Sequence, residues 1–269
     1  MNQLPPNNDE IREFWNARTE PDGILPLDRA NSSVGFQEHP IWLGVVLGLL
    51  TPTPAGRPIR RVADLGCGTG MVAEMAARLG HEVIAIDFAP ARAEQARNRL
   101  ARFSNVEVRV GDATRPPLEE GEVDAIISRN MIWLLTEPAE ALQAWLRIVG
   151  PGGRITAIDS THRTSRHRFA TVQKALRLQE FPDGVAPGSP VSGTKPTPFS
   201  DLRSAEEGSR FWDAAGAHGT NAIDLSWVSA ARMANWSPRE RALRRDRYFA
   251  LSVDSVAKTP EREHINSGE

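Results

Sequence analysis

A chain of 269 residues, 40% hydrophobic and 25% charged, suits one large globular domain with an embellishment, not a fibrous or disordered protein. Its formal net charge of −2 gives no general attraction to nucleic acid or to an anionic membrane. The single cysteine, Cys67, excludes an intrachain disulfide framework, and a cytoplasmic setting is expected. The opening MNQLPPNNDE lacks the basic and apolar regions of a signal peptide. The most apolar run, IWLGVVLGLL at 41–50, is about half the roughly 20 residues that a bilayer span requires.

In chain order, the first predicted element is a helix over 8–18 (NDEIREFWNAR), with Ile11, Phe14, Trp15 and Arg18 on one side. A Pro/Gly-rich passage separates it from a second, apolar helix near 40–50, and together they form an N-terminal helical cap over 1–60. Next, RVADL at 61–65 reads as a strand that runs into glycines at 66, 68 and 70 and then into an amphipathic helix. Strand EVIAID (82–87), a helix over 90–103 with proline in its first turn, and strand VEVRV (106–110) follow. Strand VDAIIS (123–128), a helix over 137–150, a Pro-Gly-Gly stop and strand GRITAID (153–159) complete the series. Strands alternating with helices at this spacing imply a parallel sheet covered on both faces, an α/β core over 61–180.

Residues 181–221 break the pattern. They are rich in Pro, Gly and Ser, and so long a structureless stretch is expected to be an insertion or lid. Residues 222–257 return to order as the end of the core sheet, with a charged helix at 238–247 and a last strand at 248–256, and 258–269 read as a disordered tail.

The glycine turn is where a nucleotide would sit. A triphosphate loop requires Lys and then Ser or Thr after its last glycine, where this chain has Met71 and Val72. A dinucleotide loop places its third glycine three residues after the second, a position held here by Met71. Both readings fail. The third glycine is Gly70, giving D-L-G-C-G-T-G from Asp64.

That stretch resembles the first motif of class I S-adenosylmethionine-dependent methyltransferases. The family's further motifs follow in order: Asp87 in IAIDFAP, Asp112 in VRVGDATRPP, the strand-four segment VDAIISRNMIWLL, and the Pro-Gly-Gly turn. The strand-four segment is most similar to bacterial small-molecule methyltransferases of the quinone-biosynthesis type. The resemblance covers about 60–160 and implies a Rossmann-like, seven-stranded, mostly parallel sheet with an insertion before the last two strands. It further implies S-adenosylmethionine as cofactor and S-adenosylhomocysteine as product; the six histidines show no metal-ligand spacing, so no metal is expected.

The resemblance also assigns residues. Asp64 lies near the ligand's ammonium group; Gly66, Cys67, Gly68 and Gly70 let backbone approach the amino-acid portion and ribose; and Asp87 accepts from the ribose hydroxyls. Phe88 offers a face to adenine, Asp112 with Ala113 reads the adenine amino edge, Ser128 and Arg129 border the methionine portion, and Trp15 with Arg18 closes over it. The acceptor site is expected beyond the carboxyl ends of the strands, walled by Asn130, Trp133, Ser160 and Thr161. His162, after strand five, and His39, in the cap, are candidate acid–base residues.

Each assignment has a plainer counterpart. Cys67 suits packing better than nucleophilic attack, since no activating base is marked. Asp112 is also a turn former, Trp15 also suits the core face of a helix, and the arginines at 163, 166, 168 and 239–247 suit solvated surfaces. The expected activity is methyl transfer to an O or N atom of a small molecule, in natural-product (antibiotic) biosynthesis, by a monomer or homodimer. An RNA or protein methyltransferase, or a non-catalytic regulator that binds S-adenosylmethionine, is the alternative.

Overall fold

A computed structural model of the chain describes residues 8–17, 35–54, 56–161, 197, 199, 202, 204–232 and 247–255. At its centre is a seven-stranded sheet in the order β3-β2-β1-β4-β5-β7-β6. Its strands are β1 (Arg61–Leu65), β2 (Glu82–Asp87), β3 (Val106–Val110), β4 (Ala125–Arg129), β5 (Arg154–Ser160), β6 (Asn221–Asp224) and β7 (Tyr248–Asp254). The first five pair in parallel, and β7 runs antiparallel to both β5 and β6. This is the expected Rossmann-like arrangement. Strand order reverses between β1 and β4, so a crevice opens there at the strands' carboxyl ends.

The two sheet faces carry separate cores. On one face lie α2 (Gly35–Leu49), α3 (Met71–Arg78), α4 (Pro90–Leu100) and α7 (Ser226–Arg232), packed through Trp42, Val46, Met75, Ala96 and Val228. On the other lie α5 (Pro138–Val149) and α6 (Ala205–Ala214), packed through Leu142, Trp145 and Trp212. Residues alternate between these faces along each strand: Val62 and Asp64 of β1 point towards α2 and α3, Ala63 and Leu65 away from them. Near-continuous burial of β1, β2, β4 and β5 is what a strand covered on both sides requires.

Two elements differ from expectation. Helix α2 begins at Gly35, upstream of the expected start near 40, with Pro40 inside it at the cost of one backbone hydrogen bond. More consequential is α6, which lies within the stretch read as an insertion or lid. Ser204 caps it, its side chain accepting from the Glu207 amide, and Trp212 packs edge-on against Trp145 with ring centroids 6.4 Å apart. Gln143 Nε2 of α5 donates to the Ala215 carbonyl just beyond it. Thr197, Phe199 and Leu202 are also buried, the latter two in the same core. Within 181–221, Ala205–Ala214 is therefore a core helix and not part of a structureless loop. The charged helix expected at 238–247 lies outside the described residues save Arg247, as does the tail.

Helix α1 (Asn8–Asn16) packs on α4, beside the segments that follow β2 and β3. Its amphipathic pattern buries Ile11, and three of its residues reach the loops beneath, as described below.

Candidate functional site

The glycine loop leaves β1 and is bound to the next strand before it turns into α3. The amides of Gly66 and Cys67 both donate to the Ile86 carbonyl, at 2.8 and 3.0 Å. Gly68 then donates to Asp87 Oδ2 at 2.8 Å, while Asp87 Oδ1 accepts from Ala89 at 3.0 Å. Gly70, with φ +83°, is the residue before α3, and a Cβ there would meet Leu100 Cδ1 at 2.9 Å. Part of the demand for glycine is thus internal, since the loop must pass close to α4.

Asp64 and Asp87 flank this loop, and each is almost wholly buried. Asp64 Oδ2 accepts from the Ala73 amide in the first turn of α3 at 2.9 Å. Burial pushes its pKa up to about 7; the Asp87 charge adds to that rise, while the Ala73 hydrogen bond and the Arg129 charge oppose it. Asp87 is likewise raised by burial, against its amide hydrogen bonds and the nearby Arg92 guanidinium. The Cys67 thiol is driven well above its ordinary range, first by burial and then by these two carboxylates. It is a packing residue, as its plainer reading holds.

Arg129 ends β4 on the α2 face. Its guanidinium lies 4.3 Å from the centre of the Trp42 ring, and Nη1 approaches Met71 Sδ at 3.9 Å. Nε is buried without a hydrogen-bond partner among the described residues. Ser128 points to the opposite face, following Ile126, and its Oγ is also buried and unpartnered. Asp112 forms an Asx turn, Oδ1 accepting from the Thr114 amide at 2.8 Å, so its plainer role is present. Its Oδ2 faces Asn8 of α1 at 3.5 Å. The Ala113 carbonyl accepts from Trp145 Nε1 at 2.7 Å, and Phe88 is half-buried directly after Asp87.

Trp15 of α1 lies over the Arg92 guanidinium, 4.9 Å from Cζ to ring centre, and the neighbouring Asn16 Oδ1 accepts from the Ala91 amide at 3.2 Å. Asn8, Trp15 and Asn16 thereby fix α1 over the ends of β2 and β3. Arg18 and His162 lie outside the described residues; His39 is in α2, but its side chain is among those not described.

The expected acceptor walls separate into two kinds. Asn130, at φ +55°, is exposed at the turn after β4, and its left-handed backbone is one that asparagine tolerates. Ser160 and Thr161 are half-buried, the Thr161 amide donating to the Arg247 carbonyl at 3.0 Å. Trp133 behaves differently. It is buried in the 3₁₀ turn Ile132–Leu134, its Nε1 donates to the Asn130 carbonyl at 2.8 Å, and its own carbonyl accepts from Thr197. It anchors this turn and does not face open space, because the indole N–H is used locally.

Sequence reasoning missed Arg92, Trp42 and Asp159. Asp159, buried near the end of β5, accepts from the Ser160 amide at 2.8 Å and faces the amides of Ile132 and Trp133, although Oδ2 meets none of them in good geometry. Burial raises its pKa to about 7, against those amides and the Arg129 charge. A signal existed: AID recurs at the ends of β2 and β5, and ADL closes β1, each placing an acid at the crevice end of a strand. Asp64, Asp87 and Asp159 lie within the fields of Arg92 and Arg129, and burial raises the pKa of all three carboxyls. Among the described residues, no group of three or more His, Cys, Asp or Glu is arranged to hold a metal.

Comparison with known proteins agrees with this geometry. Residues 63–157 match the family described as methyltransferase domain. The demethylmenaquinone methyltransferase of Clavibacter sepedonicus is 33% identical over 128 residues, which make up 48% of this chain and 51% of that protein. The ubiquinone biosynthesis O-methyltransferase of Alkalilimnicola ehrlichii is 34% identical over 129 residues, 47% of this chain and 52% of that protein. The chain spans about half the length of these curated relatives. In fold it is similar to geranyl diphosphate C-methyltransferase from Streptomyces coelicolor, solved with Mg2+, geranyl diphosphate and S-adenosyl-L-homocysteine. That likeness has a TM-score of 0.58 at 17% identity and covers 94% of this chain and 100% of the other.

Proposed function

We propose that this chain, whose residues 63–157 match the methyltransferase domain family and whose motifs resemble those of class I S-adenosylmethionine-dependent methyltransferases, moves a methyl group from S-adenosylmethionine to an O or N atom of a small molecule. The observation that carries the reading is the pair of buried acids on either side of a glycine loop, with the Gly68 amide fastened to Asp87. A zwitterionic sulfonium nucleoside brings an ammonium group for Asp64 and ribose hydroxyls for Asp87, and it has no phosphate for the loop to cradle. The relatives named for demethylmenaquinone and ubiquinone biosynthesis support a small-molecule acceptor. Natural-product biosynthesis, a cytoplasmic setting and a monomeric or homodimeric state complete the proposal. No helix among the described residues is long and apolar enough to cross a membrane.

Bound S-adenosylmethionine supplies a methyl group already activated for in-line displacement. What the chain supplies is alignment and exclusion of water. Asp64, Asp87 and the loop hold the donor; α1, through Trp15, covers it; Asn130, Ser160 and Thr161 border the acceptor. Where the acceptor carries a proton, His162 or His39 receives it, and an acceptor that is already nucleophilic needs neither.

The test is turnover of methyl-labelled S-adenosylmethionine with a pool of candidate small molecules, followed by rate–pH profiles of His162→Ala and His39→Ala. Label transferred to a small molecule supports the reading. Binding without turnover on any small molecule favours a regulator, and label on RNA or protein favours a macromolecular acceptor.

A further inference from the structure

Arg92 sits in the first turn of α4, five residues after the acid that ends β2. Its guanidinium is stacked on Trp15 and reaches over the glycine loop, where a Cβ on Gly68 would meet Nη2 at 3.2 Å. It exerts a favourable field on Asp87 without making an ion pair among the contacts of the described residues. Nη1 is buried and has no hydrogen-bond partner among the described residues, and the same holds for Nε1 of Trp15. A buried guanidinium N–H with no acceptor costs free energy, and the Trp15 face fixes the orientation of the group.

We propose that Arg92 is a cofactor-binding residue that works with Asp87 as a donor–acceptor pair on the ribose. The inference rests on the methyltransferase reading above. A carboxylate only accepts and a guanidinium only donates, whereas a hydroxyl does both. A ribose hydroxyl placed between them donates to Asp87 while its oxygen accepts from Arg92, which supplies Nη1 with an acceptor. Trp15 then has a defined part: it holds the guanidinium plane, and α1 is thereby joined to the occupied site. A neutral side chain at 92 would leave the hydroxyl oxygen unpaired and Asp87 without a compensating charge.

The experiment is calorimetric titration of wild type, Arg92→Met and Arg92→Gln with S-adenosylhomocysteine and with its 2′-deoxy and 3′-deoxy analogues. Wild type is expected to bind S-adenosylhomocysteine, and Arg92→Met to bind it about tenfold or more weakly, the loss of one charged hydrogen bond. For at least one deoxy analogue the wild-type and Arg92→Met affinities should converge to within about twofold, because the oxygen that Arg92 serves is gone. Ligand-free melting of Arg92→Met should differ little from that of wild type, since relief of the unpartnered buried N–H is opposed by loss of the Arg92 charge beside Asp87 and of its stacking on Trp15. Arg92→Gln, read the same way, covers misfolding of the first variant. Wild-type binding with both variants within about twofold overturns this inference alone, and so does an equal loss on all three ligands. Absence of wild-type binding overturns the functional reading and this inference with it.

Discussion

Gly68 donates its amide hydrogen to Asp87 Oδ2 across 2.8 Å, so the glycine loop is fastened to the very carboxylate expected to hold the ribose. The loop is therefore shaped before any ligand arrives, and Asp87 has both a structural partner and spare acceptor capacity. Gly68 holds φ +56° with Arg92 close above it. Gly68→Ala is expected to cost about 1–2 kcal/mol in backbone strain, and to weaken S-adenosylhomocysteine binding tenfold or more by displacing Arg92. Calorimetry together with thermal melting checks this: a small shift in melting with a large loss of affinity is the expected pattern.

Protonation of Asp64 should be visible in ligand binding. Its carboxyl titrates at about 7 in the free protein, and a ligand ammonium requires the ionised form. Affinity for S-adenosylhomocysteine is expected to fall as pH drops below that value, by up to about tenfold per pH unit. Asp64→Asn should bind more weakly at pH 8 and flatten the dependence. Titrations in buffers of different ionisation enthalpy measure the proton released.

Stability of the free protein should have a maximum on the acid side of neutrality. Asp64 and Asp159 have folded pKa values raised from 3.8 to about 7, so the stability they contribute is full below 3.8 and lost as pH rises through about 7. Glu74 has the opposite sign. Its burial alone would raise the pKa, but hydrogen bonds from Arg99 and Arg78 prevail and lower it from 4.5 to about 2, so its stabilisation is present above 4.5 and lost as pH falls towards about 2. The partner arginines, including Arg102, are partly exposed, which limits this term to about 1–2 kcal/mol. Denaturant unfolding should give rising stability from pH 8 to about 5 and falling stability below about 4. Glu74→Gln should make the acid limb shallower without abolishing it, since the carboxyls of Asp124, Asp213 and Asp224 are also held below their ordinary values by hydrogen bonds and act in the same direction.

Trp212 tests the placement of α6. It is 1% exposed and packs against Trp145, so Trp212→Ala is expected to destabilise the fold by about 3–5 kcal/mol. A lid residue would leave unfolding unchanged and alter acceptor use only. Chemical denaturation separates these outcomes.

Much of this architecture was legible in the sequence because parallel strands buried on both faces read as short apolar runs closed by glycine or an acid. β2 and β3 begin and end where their alternation and flanking residues place them. α6 was not legible. Its helical signal, Ser204 followed by Glu206, Glu207 and the aromatics at 211 and 212, is short and lies within a segment whose Pro, Gly and Ser content points the other way. In the site, Asp64 and Asp87 were singled out because D-L-G-C-G-T-G and IAIDFAP resemble family motifs, and the structure sets both carboxyls beside the glycine loop and its helix. Arg92 was missed because an arginine in a helix's first turn resembles any solvated arginine until Trp15, far away in sequence, is placed over it. Trp133 was assigned to a wall because its position after β4 is visible in sequence, whereas its hydrogen bond to Asn130 is not.

The central claim is that Asp87 and the glycine loop form the binding site of a sulfonium nucleoside. Titration of S-adenosylhomocysteine into wild type and Asp87→Ala, with circular dichroism to verify the fold, tests it most directly. Wild type should bind saturably with one site, and the variant should lose at least tenfold in affinity, since hydrogen bonds to a charged acceptor are worth roughly 1.5–3 kcal/mol each. A folded Asp87→Ala that binds S-adenosylhomocysteine as tightly as wild type would contradict the claim, and so would a wild type that does not bind it at all.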